Sequence, residues 1–161
     1  MKKAFTVLFL IISFQALSQT KIGYIEFDFH HSLKIGMNVA LNVAIEYEGK
    51  RPVLTILKDS YLGEERLKKN QSVYLFKKEY KRIVEEIQKI DFSAMLNELD
   101  INGLDGTSTK LFISGVGWTD NQTEFSFWSP DFYTEKRGLT HYYEACRLII
   151  KAAGLNPEDY F

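Results

Sequence analysis

The chain has one cysteine, Cys146, and three prolines in 161 residues. A single thiol excludes an internal disulfide, so the fold must be held by a packed core rather than by cross-links. An excess of basic charge is also missing, because 20 Lys and Arg stand against 21 Asp and Glu. A surface built to hold phosphates shows a clear positive balance, so nucleic acid is not an expected partner. No motif occurs at diagnostic catalytic spacing. Ser114-Gly115 lacks the preceding Gly-x of a nucleophile elbow, and Gly115-Val116-Gly117 has no following Lys and opens no helix. Asp100, Asn102 and Asp105 fail the calcium-loop pattern: counting from Asp100, the fifth, sixth and twelfth positions hold Leu104, Asp105 and Leu111. No cofactor is expected.

Long apolar runs are absent except at the start. Lys2 and Lys3 precede an apolar stretch from Ala4 to Phe14, followed by the small-residue segment Ala16-Leu17-Ser18. This is the pattern of a secretory signal peptide, with cleavage expected after Ser18. Residues 1–18 are then removed, and 19–161 form a single domain of about 143 residues, enough to bury a core. Loss of Lys2 and Lys3 takes the formal charge from −1 to −3. A membrane span needs roughly 20 apolar residues. The expected product is periplasmic or secreted, with no stable membrane span after signal removal.

Regular elements are legible from apolar spacing. Ile22 to His31 alternates, with Ile25, Phe27 and Phe29 on one side and Glu26, Asp28 and His30 on the other, as a half-buried strand does. Gly36 to Glu48 repeats this more strictly, Met37, Val39, Leu41, Val43, Ile45 and Tyr47 sharing one face. A helix would spread those six residues around its circumference. Gly49 and Pro52 bracket a turn, and Val53 to Lys58 returns as a third strand. Asp59 to Gln71 is polar, contains Gly63 and reads as a loop, with one helical turn over Glu64 to Lys68. With Ser72 as N-cap, Val73, Phe76, Tyr80, Ile83, Ile87 and Ile90 recur at spacings of three and four, predicting an amphipathic helix of about five turns. Glu85 and Lys89 are placed for an i,i+4 pair on its outer side.

Asp91 to Leu99 predicts a short second helix, ended by the turn dipeptides Asn102-Gly103 and Asp105-Gly106. Lys110 to Val116 and Thr123 to Trp128 form a second hairpin about Asp120-Asn121. After a charged connection, Leu139 to Ala153 gathers Leu139, Tyr142, Tyr143, Cys146, Ile149, Ile150 and Ala153 on one helix face, with Gly154 and Pro157 as its stop. The expected fold is α+β: a mainly antiparallel five-stranded sheet with two principal helices packed on one face. The other face is then solvated or a binding surface.

Candidate chemistry starts with Glu26, Asp28 and His30, at i, i+2 and i+4 on one strand face and roughly 7 Å apart in succession. Carboxylates and an imidazole are metal ligands. One straight row cannot close around an ion, so a metal site needs ligands from a neighbouring strand; a charged solvent face accounts for the same residues. His141 and Glu144 are close enough on the last helix to interact. Trp118, Asp120 and Asn121 at the hairpin tip, and Tyr133 on the later connection, are candidate ligand or partner contacts, since exposed aromatics anchor interfaces. Packing under a loop is the ordinary alternative. Cys146, on an apolar helix face, is expected to act as a small hydrophobe.

The run Leu104-Asp105-Gly106-Thr107, followed by a short strand, Trp128-Ser129-Pro130 and an apolar terminal helix, resembles a group of small exported bacterial proteins with no assigned activity. The resemblance spans roughly Leu104 to Gly154. It implies bacterial export and this C-terminal hairpin and helix, and it transfers no catalytic residue. The expected function is an exported noncatalytic binding domain with a protein partner in the envelope, in the manner of an inhibitor or immunity factor. A small metal-dependent hydrolase and a small-ligand carrier are the alternatives, so whether the chain is an enzyme stays open.

Overall fold

Period-two alternation of apolar and polar residues builds most of the molecule. The computed structural model describes residues 22–34, 37–48, 51–62, 65–95, 106–115 and 122–161. Among them are the strands β1 (Ile22–Lys34), β2 (Met37–Glu48), β3 (Arg51–Leu62), β4 (Glu65–Tyr74), β5 (Thr107–Gly115) and β6 (Gln122–Trp128). All neighbours pair antiparallel in one sheet of order β4-β3-β2-β1-β5-β6. The described helices are α1 (Lys77–Ile87), α2 (Phe92–Met95) and α3 (Thr140–Ala152), with a 3-10 turn at Pro157–Asp159. The class is therefore α+β, as alternation and helical spacing predict, but the sheet has six strands rather than five.

The additional strand is β4, where polarity predicts a loop and a helical turn. Instead β3 continues to Leu62 and the chain returns in register from Leu62↔Glu65 to Val53↔Tyr74. As an edge strand, β4 has one neighbour, and its residues Asn70, Gln71, Ser72 and Tyr74 are exposed. Backbone pairing with β3 holds it, so little apolar alternation is needed. Ser72 sits inside this strand, its hydroxyl 3.1 Å from that of Thr55, and does not cap a helix. Val73 likewise belongs to β4, and α1 runs for eleven residues, about three turns rather than five. Its start is tied by Glu79, whose carboxylate accepts the Phe76 N–H at 3.1 Å. Glu85 pairs with Lys81 at 3.3 Å on its outer side, and Lys89, just past its end, pairs with Glu86 at 2.8 Å, in place of the Glu85–Lys89 pair.

Ile25, Phe27 and Phe29 of β1, Leu41, Val43 and Ile45 of β2, Leu54 and Ile56 of β3, Leu111 of β5 and Phe125 of β6 are buried. They share one core cluster with Tyr80, Ile83 and Ile87 of α1 and with Tyr142, Cys146, Ile149 and Ile150 of α3. The Tyr142 ring meets Phe125 and Phe127 edge-on at 6.1 and 4.7 Å, while its hydroxyl lies 2.9 Å from that of buried Thr109. Tyr80 donates its hydroxyl to the Ile22 carbonyl at 2.6 Å. The C-terminal pair Tyr160 and Phe161 packs edge-on against Phe29 at 5.1 and 5.8 Å. Cys146 is fully buried, and burial pushes its thiol far above the ordinary range, so it is inert as a nucleophile.

Candidate functional site

The same alternation that sends Ile25, Phe27 and Phe29 inward turns Tyr24, Glu26, Asp28 and His30 to the outer face of the sheet. Register then decides what stands beside them. Glu26 faces Ala44 on β2 and Phe112 on β5, while Asp28 faces Asn42 and Lys110. Farther out, Asn42 faces Leu57, and Phe112 faces Glu124.

Asn42 organises the centre of this face. Its Nδ2 donates to Glu26 Oε1 at 2.8 Å and to Asp28 Oδ1 at 2.7 Å, one hydrogen to each carboxylate. Tyr24 donates its hydroxyl to Glu26 Oε2 at 3.0 Å, so both Glu26 oxygens are held. Burial, the bond to Glu26 and the charges of Glu26, Glu46 and Asp28 together push the Tyr24 hydroxyl up to about 12. The Tyr24 ring meets Phe112 edge-on at 6.1 Å. Lys110 reaches away to Glu124 at 2.9 Å. The small side chain of Ala44 and the exposed Leu57, 47% accessible, complete a mixed polar and apolar surface.

The geometry brings Glu26 and Asp28 together and leaves His30 farther along β1, exposed and opposite Ala40 and Ser108. Among the described residues no three His, Cys, Asp or Glu side chains gather in a metal-binding group. Asn42 donates to one oxygen of each carboxylate. Trp118, Asp120 and Asn121 lie outside the described residues.

Tyr133 is exposed on the turn after β6, with its ring 4.2 Å from that of Phe132 and Lys136 Nζ 5.1 Å from its centroid. This turn is compact. Ser129 and Tyr133 both take left-handed backbone angles, φ 37° and 51°, which cost L-residues free energy and persist only where surroundings impose them. Arg137 imposes them: it is 1% exposed and donates to the carbonyls of Ser129, Phe132 and Trp128 at 2.7, 3.1 and 2.9 Å. Polarity alone reads Arg137 as part of a solvated connection, since its acceptors are backbone groups that no side-chain pattern reveals.

Sequence spacing also misses the partner of His141. Instead of Glu144, its Nδ1 lies 2.6 Å from Glu86 Oε1, linking α3 to α1, while Glu144 sits 3.9 Å from Arg147. Beside this link a shallow groove of about 90 Å³ is lined by Glu79, Arg82, Ile83, Leu148, Lys151 and Ala152. Sites for small molecules are typically about 300 Å³ or more. No described helix is long and apolar enough to cross a membrane. Compared with protein-family models, curated proteins and solved structures, the chain matches none.

Proposed function

We propose that this is an exported bacterial binding domain without catalytic activity, whose two longer helices pack over the inner face of the sheet and whose outer face takes a protein partner in the envelope. The observation that carries the reading is the Asn42 amide holding the Glu26 and Asp28 carboxylates side by side on the face opposite the core cluster. Charged groups fixed before binding lose less conformational freedom on association, which favours recognition over mere solubility. Six strands spaced about 4.8 Å apart make a face roughly 24 Å across, wide enough for a protein surface. An inhibitor or immunity factor works in this manner, by fit rather than by turnover.

Site-specific photo-crosslinking tests the reading. A crosslinking residue at position 57 on the outer face yields a discrete adduct in the native envelope, whereas one at position 81 on α1 does not. Equal labelling from the two positions, or none from either, overturns it. Export is tested separately by the mass of the recovered protein, which begins at Gln19 if residues 1–18 are removed.

A further inference from the structure

We infer that the partner of the outer face presents lysine and arginine side chains to the cluster around Glu26 and Asp28, an inference that rests on the binding-domain reading above. Charge is the first argument. Among the described side chains the outer face carries Glu26, Asp28, Glu46 and Glu124, against Arg51 at the end of β3 and Lys110, which stands across from Asp28 and is engaged with Glu124 at 2.9 Å. Asn42 fixes Glu26 and Asp28 by neutral donors, so it positions two like charges without cancelling either. Glu26 Oε1 and Asp28 Oδ1 are both drawn onto the one Asn42 nitrogen, closer than the roughly 7 Å between successive outward residues of a strand, and half-buried like charges at such range repel. A cation placed between them from a partner relieves that repulsion. A carboxylate has about four acceptor sites, so Glu26 and Asp28 retain capacity for further donors. The Tyr24 hydroxyl is raised first by burial, then by its bond to Glu26, and also by the charges of Glu26, Glu46 and Asp28.

Apolar placement is the second argument, and it separates a basic protein surface from a simple cation. Phe112 stands directly beside Glu26 with Tyr24 against its ring, and Leu57 stands beside Asn42 on the other flank. Farther along β4, Tyr74 is 69% exposed on the same side. Lysine and arginine lay a hydrocarbon stem along apolar surface while the charged head reaches polar groups, and their heads are also attracted to aromatic faces. Carboxylates interleaved with Phe112, Tyr24 and Leu57 suit both halves of such a side chain. A phosphate-bearing or acidic partner meets repulsion at the same place.

The test titrates the mature chain with an end-capped peptide of alternating lysine and leucine, and with its glutamate and leucine counterpart, followed by backbone amide chemical shifts. The lysine peptide shifts Tyr24, Asn42, Lys110 and Phe112, its affinity falls as salt rises, and the glutamate peptide leaves these residues unmoved. The double substitution Glu26→Gln with Asp28→Asn weakens lysine-peptide binding about tenfold. Glu46→Lys, at an exposed position, does the same in part and serves if the double variant folds poorly. Glu144→Gln with Glu158→Gln, on α3 and the C-terminal turn, leaves binding unchanged. Absence of binding, binding equal in the double variant, or shifts confined to the helices overturns the inference. If position 57 still gives its face-specific adduct in that event, the basic partner alone falls; loss of the adduct removes the reading beneath it.

Discussion

At the scale of single residues, Asn42 shows how a neutral side chain can govern a charged site. Replacing it with alanine removes two hydrogen bonds to carboxylates on a half-buried face. Such bonds contribute more than neutral ones, and partial exposure moderates the loss, so Asn42→Ala costs about 1 to 2 kcal/mol of stability. Asn42→Asp is worse, because it removes both donors and adds a third negative charge beside Glu26 and Asp28. Its deficit shrinks as salt screens the repulsion, whereas that of Asn42→Ala does not. Urea unfolding at low and high salt separates them; equal deficits with equal salt response contradict this account. The Glu26, Asp28 and His30 row was readable from alternation within β1. Asn42 was not, since its role depends on the β1–β2 register, and a single strand's pattern cannot reveal its cross-strand neighbour.

At the scale of elements, connections carry more of the fold than their polarity suggests. Gly138, φ +67°, ends the Arg137 turn with Ala94 of α2 pressed against it: an added Cβ would lie 2.8 Å from the Ala94 Cβ and 2.9 Å from its backbone carbon. Gly154, φ +72°, follows α3 and would meet nothing within 4 Å. Alanine at either site incurs the left-handed penalty of about 1 to 2 kcal/mol. Gly138→Ala adds a clash with backbone, which cannot swing aside, and costs a further 1 to 3 kcal/mol or so. Thermal unfolding of the two variants measures the difference, and similar losses would remove the packing argument. Gly154 was recognisable as a helix stop because it follows a clear apolar stripe; Gly138 was not, because its constraint comes from a separate helix.

The link between α1 and α3 has a pH signature. Burial pushes the Glu86 carboxyl up, but hydrogen bonds and charge from Lys89 and His141 outweigh it and hold the group below its ordinary value of 4.5. In the unfolded chain the carboxyl takes up a proton first as pH falls. Its contribution is therefore complete above the ordinary carboxylate value and is lost as pH drops through the lowered folded value. Glu86→Gln lowers stability at neutral pH and makes the decline on acidification shallower, which urea midpoints over a pH series detect. An unchanged acid slope would falsify the assignment. The missed strand β4 has a related cause: exposed polar residues on an edge leave pairing, rather than alternation, to define the element.

At the scale of the whole molecule, the two faces of the sheet differ in burial, and positions three apart on one strand separate them. Leu54 and Leu57 are both leucines of β3, yet Leu54 is fully buried while Leu57 is 47% exposed. The α+β class and most inner-face residues were legible because burial enforces a strict period of two. The outer face was legible only as a polar row, since solvent tolerates many arrangements and so imposes no period on what joins across strands. The leucine pair turns this division into a measurement. Leu54→Ala opens a void in the core and costs about 2 to 5 kcal/mol. Leu57→Ser removes surface that solvent already reaches, so stability moves by about 0.5 kcal/mol or less. If the outer face receives a partner, the functional ranking reverses at matched folded fraction: Leu57→Ser weakens lysine-peptide binding while Leu54→Ala preserves it. Unfolding curves combined with titrations of the folded fraction give both rankings. Parallel loss of stability and binding in the two variants would mean that the outer face serves only as the back of the core.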